Sequence, residues 1–146
     1  MEINGKTRLL GLLGDPVQHT MSPLIHNTLS DILEINEVYV PFHTHKEGLA
    51  DAVKGAFELN ILGMNATVPH KNEVMASLVD IDDGAAAIGA VNTLVRTANG
   101  YKGYNTDMMG LSRELESYGV ELDGKKIIIL GAGGAARAVA YMCMNK

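Results

Sequence analysis

The sequence has 146 residues, the size of one ordinary domain, and its 12 Lys and Arg residues against 17 Asp and Glu residues give a formal charge of −5. This acidic balance, without a block of basic residues, argues against a protein that binds nucleic acid. One cysteine, Cys143, excludes an intrachain disulfide, and no run approaches the roughly 18 apolar residues of a membrane span, so we expect a cytoplasmic protein without membrane partners.

Segments typical of strands alternate along the chain with segments of helical periodicity. The predicted strands cover residues 8–14, 37–44, 63–68, 90–97, 101–104 and 126–130. The predicted helices cover residues 22–33, 46–59, 70–79, 107–118 and about 135–146. Pro41 suggests an edge strand, Asn99-Gly100 a hairpin turn, and Gly119 a helix end. The alternation predicts an α/β fold in three layers with a mostly parallel sheet.

A glycine-rich loop, Gly131-x-Gly133-x-x-Ala136, follows the apolar run at 126–130, which is typical of a strand buried on both faces. In this context the loop is typical of a dinucleotide site, where glycine backbone and a helix N-terminus hold the pyrophosphate. A plain strand-to-helix turn is the alternative. The residue that contacts the ribose lies about 20 positions further on in such folds. Only 12 residues follow Gly134, so we expect an incomplete cofactor site.

Four polar clusters lie where one predicted element gives way to the next. They are residues 20–23, 65–71, 90–93 and 105–107. Ligands of open α/β sheets bind at the carboxyl ends of the strands. Hydroxyl, amide, lysine and aspartate groups suit a small, polyhydroxylated, anionic substrate, and a Lys–Asp pair can move a proton.

Each of these side chains also has a structural interpretation. Ser22 and Asp107 would only cap helices, Lys71 would be a solvated surface lysine, and Asn65 and Asn92 would be turn residues.

The histidines give no functional prediction. His43 and His45 share one strand face and could suggest a metal site, but we expect no nearby carboxylate or cysteine to complete it, so we predict no metal site. We expect His19, His26 and His70 to be structural or peripheral.

Together, these motifs resemble those of the shikimate dehydrogenase family. In the family's order, the matching pieces are Gly14–Pro23 with His26-Asn27, Gly63–Lys71, Ile88–Thr93, Gly103–Asp107 and Leu130–Ala136. The resemblance extends from Leu10 to the end of the chain. Two positions depart from the family's usual residues: Thr20 stands where serine is usual, and Ala66 where valine is usual.

The resemblance implies an enzyme that reduces 3-dehydroshikimate to shikimate with NADPH, in the route to chorismate and the aromatic amino acids. It implies that Thr20 and Ser22 hold the substrate carboxylate, and that Lys71 is the catalytic acid/base, assisted by Asp107. The residues implied to bind ring hydroxyls are Asn65, Thr67, Asn92 and Asp107. Those implied to face the cofactor diphosphate are Gly131, Gly133, Gly134 and Ala135.

By the same resemblance, residues 1–106 are a shikimate-binding catalytic domain, 107–122 a linking helix, and 123–146 the first strand, loop and helix of a truncated NADP-binding Rossmann domain. We expect such a chain to be unable to turn over substrate alone. A stand-alone module that binds shikimate or quinate without catalysis is the alternative. The apolar run at 126–130, lacking its neighbours, predicts a homodimer through the C-terminal segment.

Overall fold

A computed structural model describes residues 2–145. Its strands are β1 Arg8–Gly14, β2 Glu37–His43, β3 Gly63–Ala66, β4 Asp80–Ile81, β5 Thr93–Arg96 and β6 Tyr101–Tyr104. Its α-helices are α1 Ser22–Ile32, α2 Leu49–Glu58, α3 Asp83–Ile88, α4 Asp107–Ser117 and α5 Gly134–Met144. Short 3-10 helices cover Lys46–Gly48 and Glu73–Ser77.

The six strands form one sheet in the order β2-β1-β3-β5-β6-β4. The pairs β2–β1, β1–β3 and β6–β4 are parallel, whereas β5 runs antiparallel to both of its neighbours. The prediction of a mostly parallel α/β sheet is confirmed, as is the position of Pro41 in an edge strand.

Helix α1 covers the outer side of the edge strand β2 through one side chain. Asn27 Oδ1 accepts a hydrogen bond from the backbone N–H of Tyr39 (2.8 Å), and Asn27 Nδ2 donates to the Tyr39 carbonyl (2.9 Å). The imidazole of His26 stacks on the Tyr39 ring with centroids 4.2 Å apart. The outward-facing backbone groups of Tyr39, in the middle of the edge strand, are therefore satisfied within the chain.

The main core lies between the sheet and α2. The helix contributes Leu49, Val53 and Ala56, spaced by three and four residues, and the strands contribute Leu13, Met64 and Leu94. A smaller cluster of Leu12, Val17 and Tyr39 lies apart from it. Because Leu12 and Leu13 are adjacent on β1, they point to opposite faces, so this strand is buried on both sides at its carboxyl end.

The prediction of a buried strand at residues 126–130 is wrong. The segment belongs to no sheet of the described chain, and the side chains of Ile128 and Leu130 are 86% and 93% exposed. Its composition is typical of a strand, but no strand among residues 2–145 lies beside it to complete a ladder.

The predicted helix at residues 70–79 is also wrong, since only a short 3-10 helix forms there. The Lys71 carbonyl accepts a hydrogen bond from the N–H of Val91 (2.7 Å), so it does not serve a helical turn. Strand β4 and helix α3, capped by the Asp82 side chain on the N–H of Gly84 (3.0 Å), were not predicted.

No helix among residues 2–145 has the length and apolar character needed to cross a membrane.

Candidate active site

The polar clusters meet at one edge of the sheet because of the strand directions. Parallel strands β1, β3 and β6 all end at this edge, and the antiparallel strand β5 begins there. The register pairs Asn65 with Thr93 and Thr93 with Tyr104. The segments after β1, β3 and β6 and the residues just before β5 are thereby placed side by side.

A lysine–aspartate pair lies at the centre of this edge. Lys71 Nζ donates a hydrogen bond to Asp107 Oδ2 at 2.6 Å, and the two side chains are only 17% and 30% exposed. The interpretation of Lys71 as a solvated surface lysine is therefore wrong. Asp107 is the first residue of α4, but its carboxylate faces Lys71 rather than capping the helix.

Asn92 fixes the other side of the carboxylate. Its amide nitrogen donates to Asp107 Oδ1 (2.7 Å) and to Thr106 Oγ1 (2.9 Å), while its Oδ1 accepts from the backbone N–H of Thr106 (3.0 Å). Asn92 is 8% exposed. This buried, fully bonded amide holds the start of α4 against the start of β5 and so orients Asp107.

The network continues to Asn65 and Tyr39. Asn65 Nδ2 donates to the Asn92 carbonyl (3.1 Å) and to Thr93 Oγ1 (3.2 Å). The Tyr39 hydroxyl donates to Asn65 Oδ1 (2.8 Å). Burial raises the pKa of Tyr39 to about 12, and a hydrogen bond with Ser22 partly opposes that rise.

Three members of this network were not among the predicted site residues: Tyr39, Thr93 and Thr106. Thr93 and Thr106 lie inside two of the polar clusters identified in the sequence. The sequence does not show which side chains of a cluster face the site, so these two were not singled out. Tyr39 lies within a run of β-branched and aromatic residues and gives no local sign of its role, because only the fold brings it to Asn65.

Thr20 and Ser22 adjoin the network at the start of α1. Thr20 Oγ1 donates to Ser22 Oγ (3.2 Å) and accepts from the backbone N–H of Ser22 (3.2 Å). The N-cap position is held by Met21, and Ser22 is the first helical residue. The interpretation of Ser22 as only an N-cap is therefore wrong, and two hydroxyls stand at a helix N-terminus, a place that favours anions.

Thr67 lies beside these groups without joining them through its side chain. Its backbone N–H donates to the Leu13 carbonyl (2.9 Å), and its carbonyl accepts from the N–H of His70 (2.7 Å). Among residues 2–145 its hydroxyl has no hydrogen-bond partner, so it is available to a ligand.

The glycine loop abuts Lys71. Gly131 has φ +113°, Gly133 is the N-cap of α5, and Gly134 and Ala135 begin the helix. A Cβ at Gly134 would lie 3.0 Å from Lys71 Cβ, whereas one at Gly131 or Gly133 would meet open space. The loop therefore leaves its first two glycines and the helix N-terminus open to a ligand while packing its third glycine on Lys71.

The histidines divide into structural and surface groups. His70 is fully buried, and its Nε2 donates to the Thr44 carbonyl (2.6 Å). His43 Nε2 and His45 Nδ1 lie 2.7 and 3.0 Å from the two oxygens of Asp15. Hydrogen bonds from His45 and His43 hold the pKa of the Asp15 carboxyl below its ordinary value. The premise that no carboxylate accompanies these two histidines is wrong, because Asp15 is remote from them in the sequence but adjacent in the fold.

Residues 12–94 match the family model of the shikimate dehydrogenase substrate binding domain. This chain belongs to the shikimate dehydrogenase family. A shikimate dehydrogenase (NADP(+)) from Desulforamulus reducens is 50% identical over 139 residues, which are 94% of this chain and 48% of that relative. The chain thus spans about half the length of the curated relatives it matches.

Solved shikimate dehydrogenases have the same fold over this span. The enzyme from Aquifex aeolicus superimposes with a TM-score of 0.94 at 41% identity, covering 99% of this chain and 54% of that one. The shikimate 5-dehydrogenase from Listeria monocytogenes, in complex with shikimate and NAD, gives a TM-score of 0.89 at 36% identity, covering 98% and 50%. The recognition of the family and its α/β fold from sequence motifs is confirmed.

Proposed function

We propose that this chain binds shikimate-like acids at the described sheet edge and carries the proton-transfer pair of an NADP-dependent shikimate dehydrogenase. The observation that carries the proposal is the 2.6 Å contact between Lys71 Nζ and Asp107 Oδ2, held by Asn92 and enclosed by the polar ends of three strands. Relatives about 50% identical over this span are named shikimate dehydrogenase (NADP(+)), which supports the same reaction class.

The substrate groups follow the chemistry of the edge. We assign its carboxylate to the hydroxyls of Thr20 and Ser22 at the start of α1, where the helix dipole favours negative charge. We assign the ring hydroxyls of the substrate to four residues at the same edge, three of which belong to the hydrogen-bond network. These residues are Asn65, Thr67, Asn92 and Asp107.

Lys71 is the acid/base in this proposal. Its ammonium group gives a proton to the carbonyl oxygen of 3-dehydroshikimate as that carbon is reduced, and the amine takes the proton back in the oxidation of shikimate. Asp107 orients Nζ through their ion pair. Because Asn92 occupies the second carboxylate oxygen, Asp107 is held in place for this role.

The loop at α5 fits the diphosphate portion of a nicotinamide dinucleotide. Gly131, Gly133, Gly134 and Ala135 offer free backbone N–H groups at a helix N-terminus, with no side chain in the way at the first two glycines. When bound, the cofactor would supply a hydride in its reduced form, NADPH, and would accept one in its oxidised form, NADP(+). The packing of Gly134 on Lys71 places this loop beside the proton donor.

The domain boundaries are part of the proposal. Residues 1–106 form the substrate-binding catalytic domain, 107–122 the linking helix, and 123–146 the start of the NADP-binding domain. The sheet ends at Tyr104, and α4 begins at Asp107, which supports the first boundary. Ala138 of α5 is buried with Ile88 and Ala90, so the last helix rests on the first unit.

Calorimetric titration with shikimate tests the substrate site. We expect one ligand per chain, and we expect Ser22→Ala to weaken binding about tenfold, because a hydrogen bond to a charged group contributes about 1.5–3 kcal/mol. Methyl shikimate, which lacks the negative charge, should bind weakly to the native chain and should not distinguish it from the Ser22→Ala variant. Ser112→Ala on α4 is the matched control, since its hydroxyl bonds only to Glu116 on the same helix.

Turnover tests the role of Lys71. Any oxidation of shikimate by NADP, followed by nicotinamide absorbance, should disappear in Lys71→Met while shikimate binding persists. Because we expect this chain to be unable to turn over substrate alone, binding without turnover fits the substrate domain of the enzyme as well as a binding module, whereas robust turnover would exclude the module. Failure to bind shikimate would overturn the assignment of the site.

We also propose that this chain forms a homodimer through residues 126–130. The support is the exposure of Ile128 and Leu130 in a segment whose composition favours strand pairing.

A further inference from the structure

The carboxyl ends of β1 and β2 bring together three side chains that are remote in sequence. Asp15 follows β1, His43 is the last residue of β2, and His45 lies two residues beyond it. One ligand atom from each residue lies within 4.8 Å of the others. Neither the Lys71–Asp107 pair nor the proposed substrate contacts use any of the three.

We propose that Asp15, His43 and His45 form a binding site for a divalent transition-metal ion, with zinc as the metal. Two imidazole nitrogens and one carboxylate oxygen are a donor set that zinc accepts, with further positions left for water. Because the set is two-nitrogen and one-oxygen rather than all-oxygen, it favours zinc over magnesium or calcium.

The distances are close to those of a three-ligand site. Zinc bound at about 2.0–2.2 Å separates tetrahedral ligand atoms by roughly 3.4 Å. His43 Nε2 lies 2.7 Å from Asp15 Oδ1, and His45 Nδ1 lies 3.0 Å from Asp15 Oδ2. Small side-chain rotations open this cluster to admit the ion in place of the shared protons. The side chains are 42%, 73% and 34% exposed for His43, His45 and Asp15, which leaves room for that movement and for water ligands.

The backbone beneath the cluster is fixed. Gly14 pairs with His43 in the sheet, and the N–H of Thr44 donates to the Gly14 carbonyl (3.1 Å). The N–H of Asp15 donates to the Val68 carbonyl (3.0 Å), and buried His70 donates to the Thr44 carbonyl (2.6 Å). Ligands on such anchored strand ends are pre-positioned, which lowers the cost of binding.

The lysine next to the site in the sequence forms an ion pair elsewhere. Lys46 follows His45 directly, but its Nζ pairs with Glu73 Oε1 at 2.9 Å. Its charge is thus partly neutralised by a carboxylate on another segment.

Zinc titration of tag-free, metal-free protein tests the site. The reference chain carries Cys143→Ser, which removes the thiol as a competing ligand. We expect one zinc ion per chain with micromolar affinity by calorimetry, and a cobalt derivative with visible absorption of a low-coordinate site. His43→Asn, His45→Asn and Asp15→Asn should each weaken binding at least tenfold, since even the loss of a group that supports a ligand weakens metal binding about 10- to 100-fold.

His19→Asn is the matched control, because His19 is an exposed histidine outside the cluster and its loss should leave zinc affinity unchanged. Melting temperatures of the metal-free variants establish that each one folds. Zinc should raise the melting temperature of the reference chain but not that of the His43→Asn/His45→Asn double variant. An unchanged affinity in the double variant, or no zinc uptake by the reference chain, would overturn the proposal.

Discussion

The pKa values of side chains at the sheet edge depend on burial as well as on charge, and Tyr39 shows this most clearly. It is 3% exposed, its hydroxyl donates to Asn65, and burial raises its pKa from 10.0 to about 12. A tyrosine whose pKa is raised on folding stabilises the folded state fully below its unfolded pKa. That contribution is lost as pH rises through the folded pKa.

We therefore predict a late phenolic ionisation that belongs to Tyr39. In an absorbance titration of the folded protein, the component near pH 12 should lose the amplitude of one tyrosine in Tyr39→Phe. Burial also raises the pKa of Tyr101, so a late ionisation from that residue should remain in Tyr39→Phe. Tyr118→Phe removes a tyrosine that is 77% exposed and should leave the amplitude of the late component unchanged. Between pH 10 and 12, urea unfolding should show a smaller loss of stability in Tyr39→Phe than in Tyr118→Phe. An unchanged late amplitude in Tyr39→Phe would contradict the assignment.

Also at the residue scale, four of the predicted site residues do lie together, because Lys, Asp and Asn in short polar clusters between apolar strands indicate a polar site at the strand ends. Lys71, Asp107, Asn92 and Asn65 are joined by hydrogen bonds in the structure. Their catalytic and binding roles stay predictions. Partners supplied by distant segments, such as Asp15 for the histidine pair, could not be predicted from residues that are neighbours in the sequence.

At the level of elements, strands β1, β2, β3, β5 and β6 follow from local pattern, since β-branched and apolar runs ended by Gly, Pro and Asn are strong signals. The two-residue strand β4 is too short to give such a signal. The predicted elements were wrong where the backbone of a segment hydrogen-bonds to another part of the chain or lacks a neighbouring strand. The Lys71 carbonyl bonds to Val91 rather than to a helical turn, so residues 70–79 form only a short 3-10 helix. The run at 126–130 has strand composition without a neighbouring strand in the described chain, and pairing cannot be supplied by one segment alone.

Helix α5 provides an element-scale prediction, because its first residue contacts Lys71. In Gly134→Ala the new Cβ would lie 3.0 and 3.1 Å from Lys71 Cβ and Cδ, so either the helix or the lysine must shift. Overpacking of this kind costs about 1 kcal/mol or more of unfolding free energy. We expect urea unfolding to show that loss, offset in part by the better helix propensity of alanine.

Gly133→Ala is the control for this contact, since the same methyl group there meets open space and its φ of −73° suits any residue. Equal stability of the two variants would contradict the inference that α5 presses on Lys71.

For the whole molecule, the exposed segment at residues 126–130 is the surface on which the proposed homodimer rests. The side chains of Ile128 and Leu130 are 86% and 93% exposed, and the backbone around them forms no ladder within the described residues. An unpaired apolar run is a template for another strand, and two identical segments can pair across a two-fold axis.

We predict a monomer–dimer equilibrium in analytical ultracentrifugation that Ile128→Lys shifts toward monomer, because a charge on that face repels its own copy. Leu59→Lys, at a side chain that is 76% exposed just after α2, should leave the equilibrium unchanged. Since Ile128 has little to bury within one chain, its substitution should leave the urea unfolding of dilute protein unchanged. A dimer equally stable in Ile128→Lys would place the interface elsewhere.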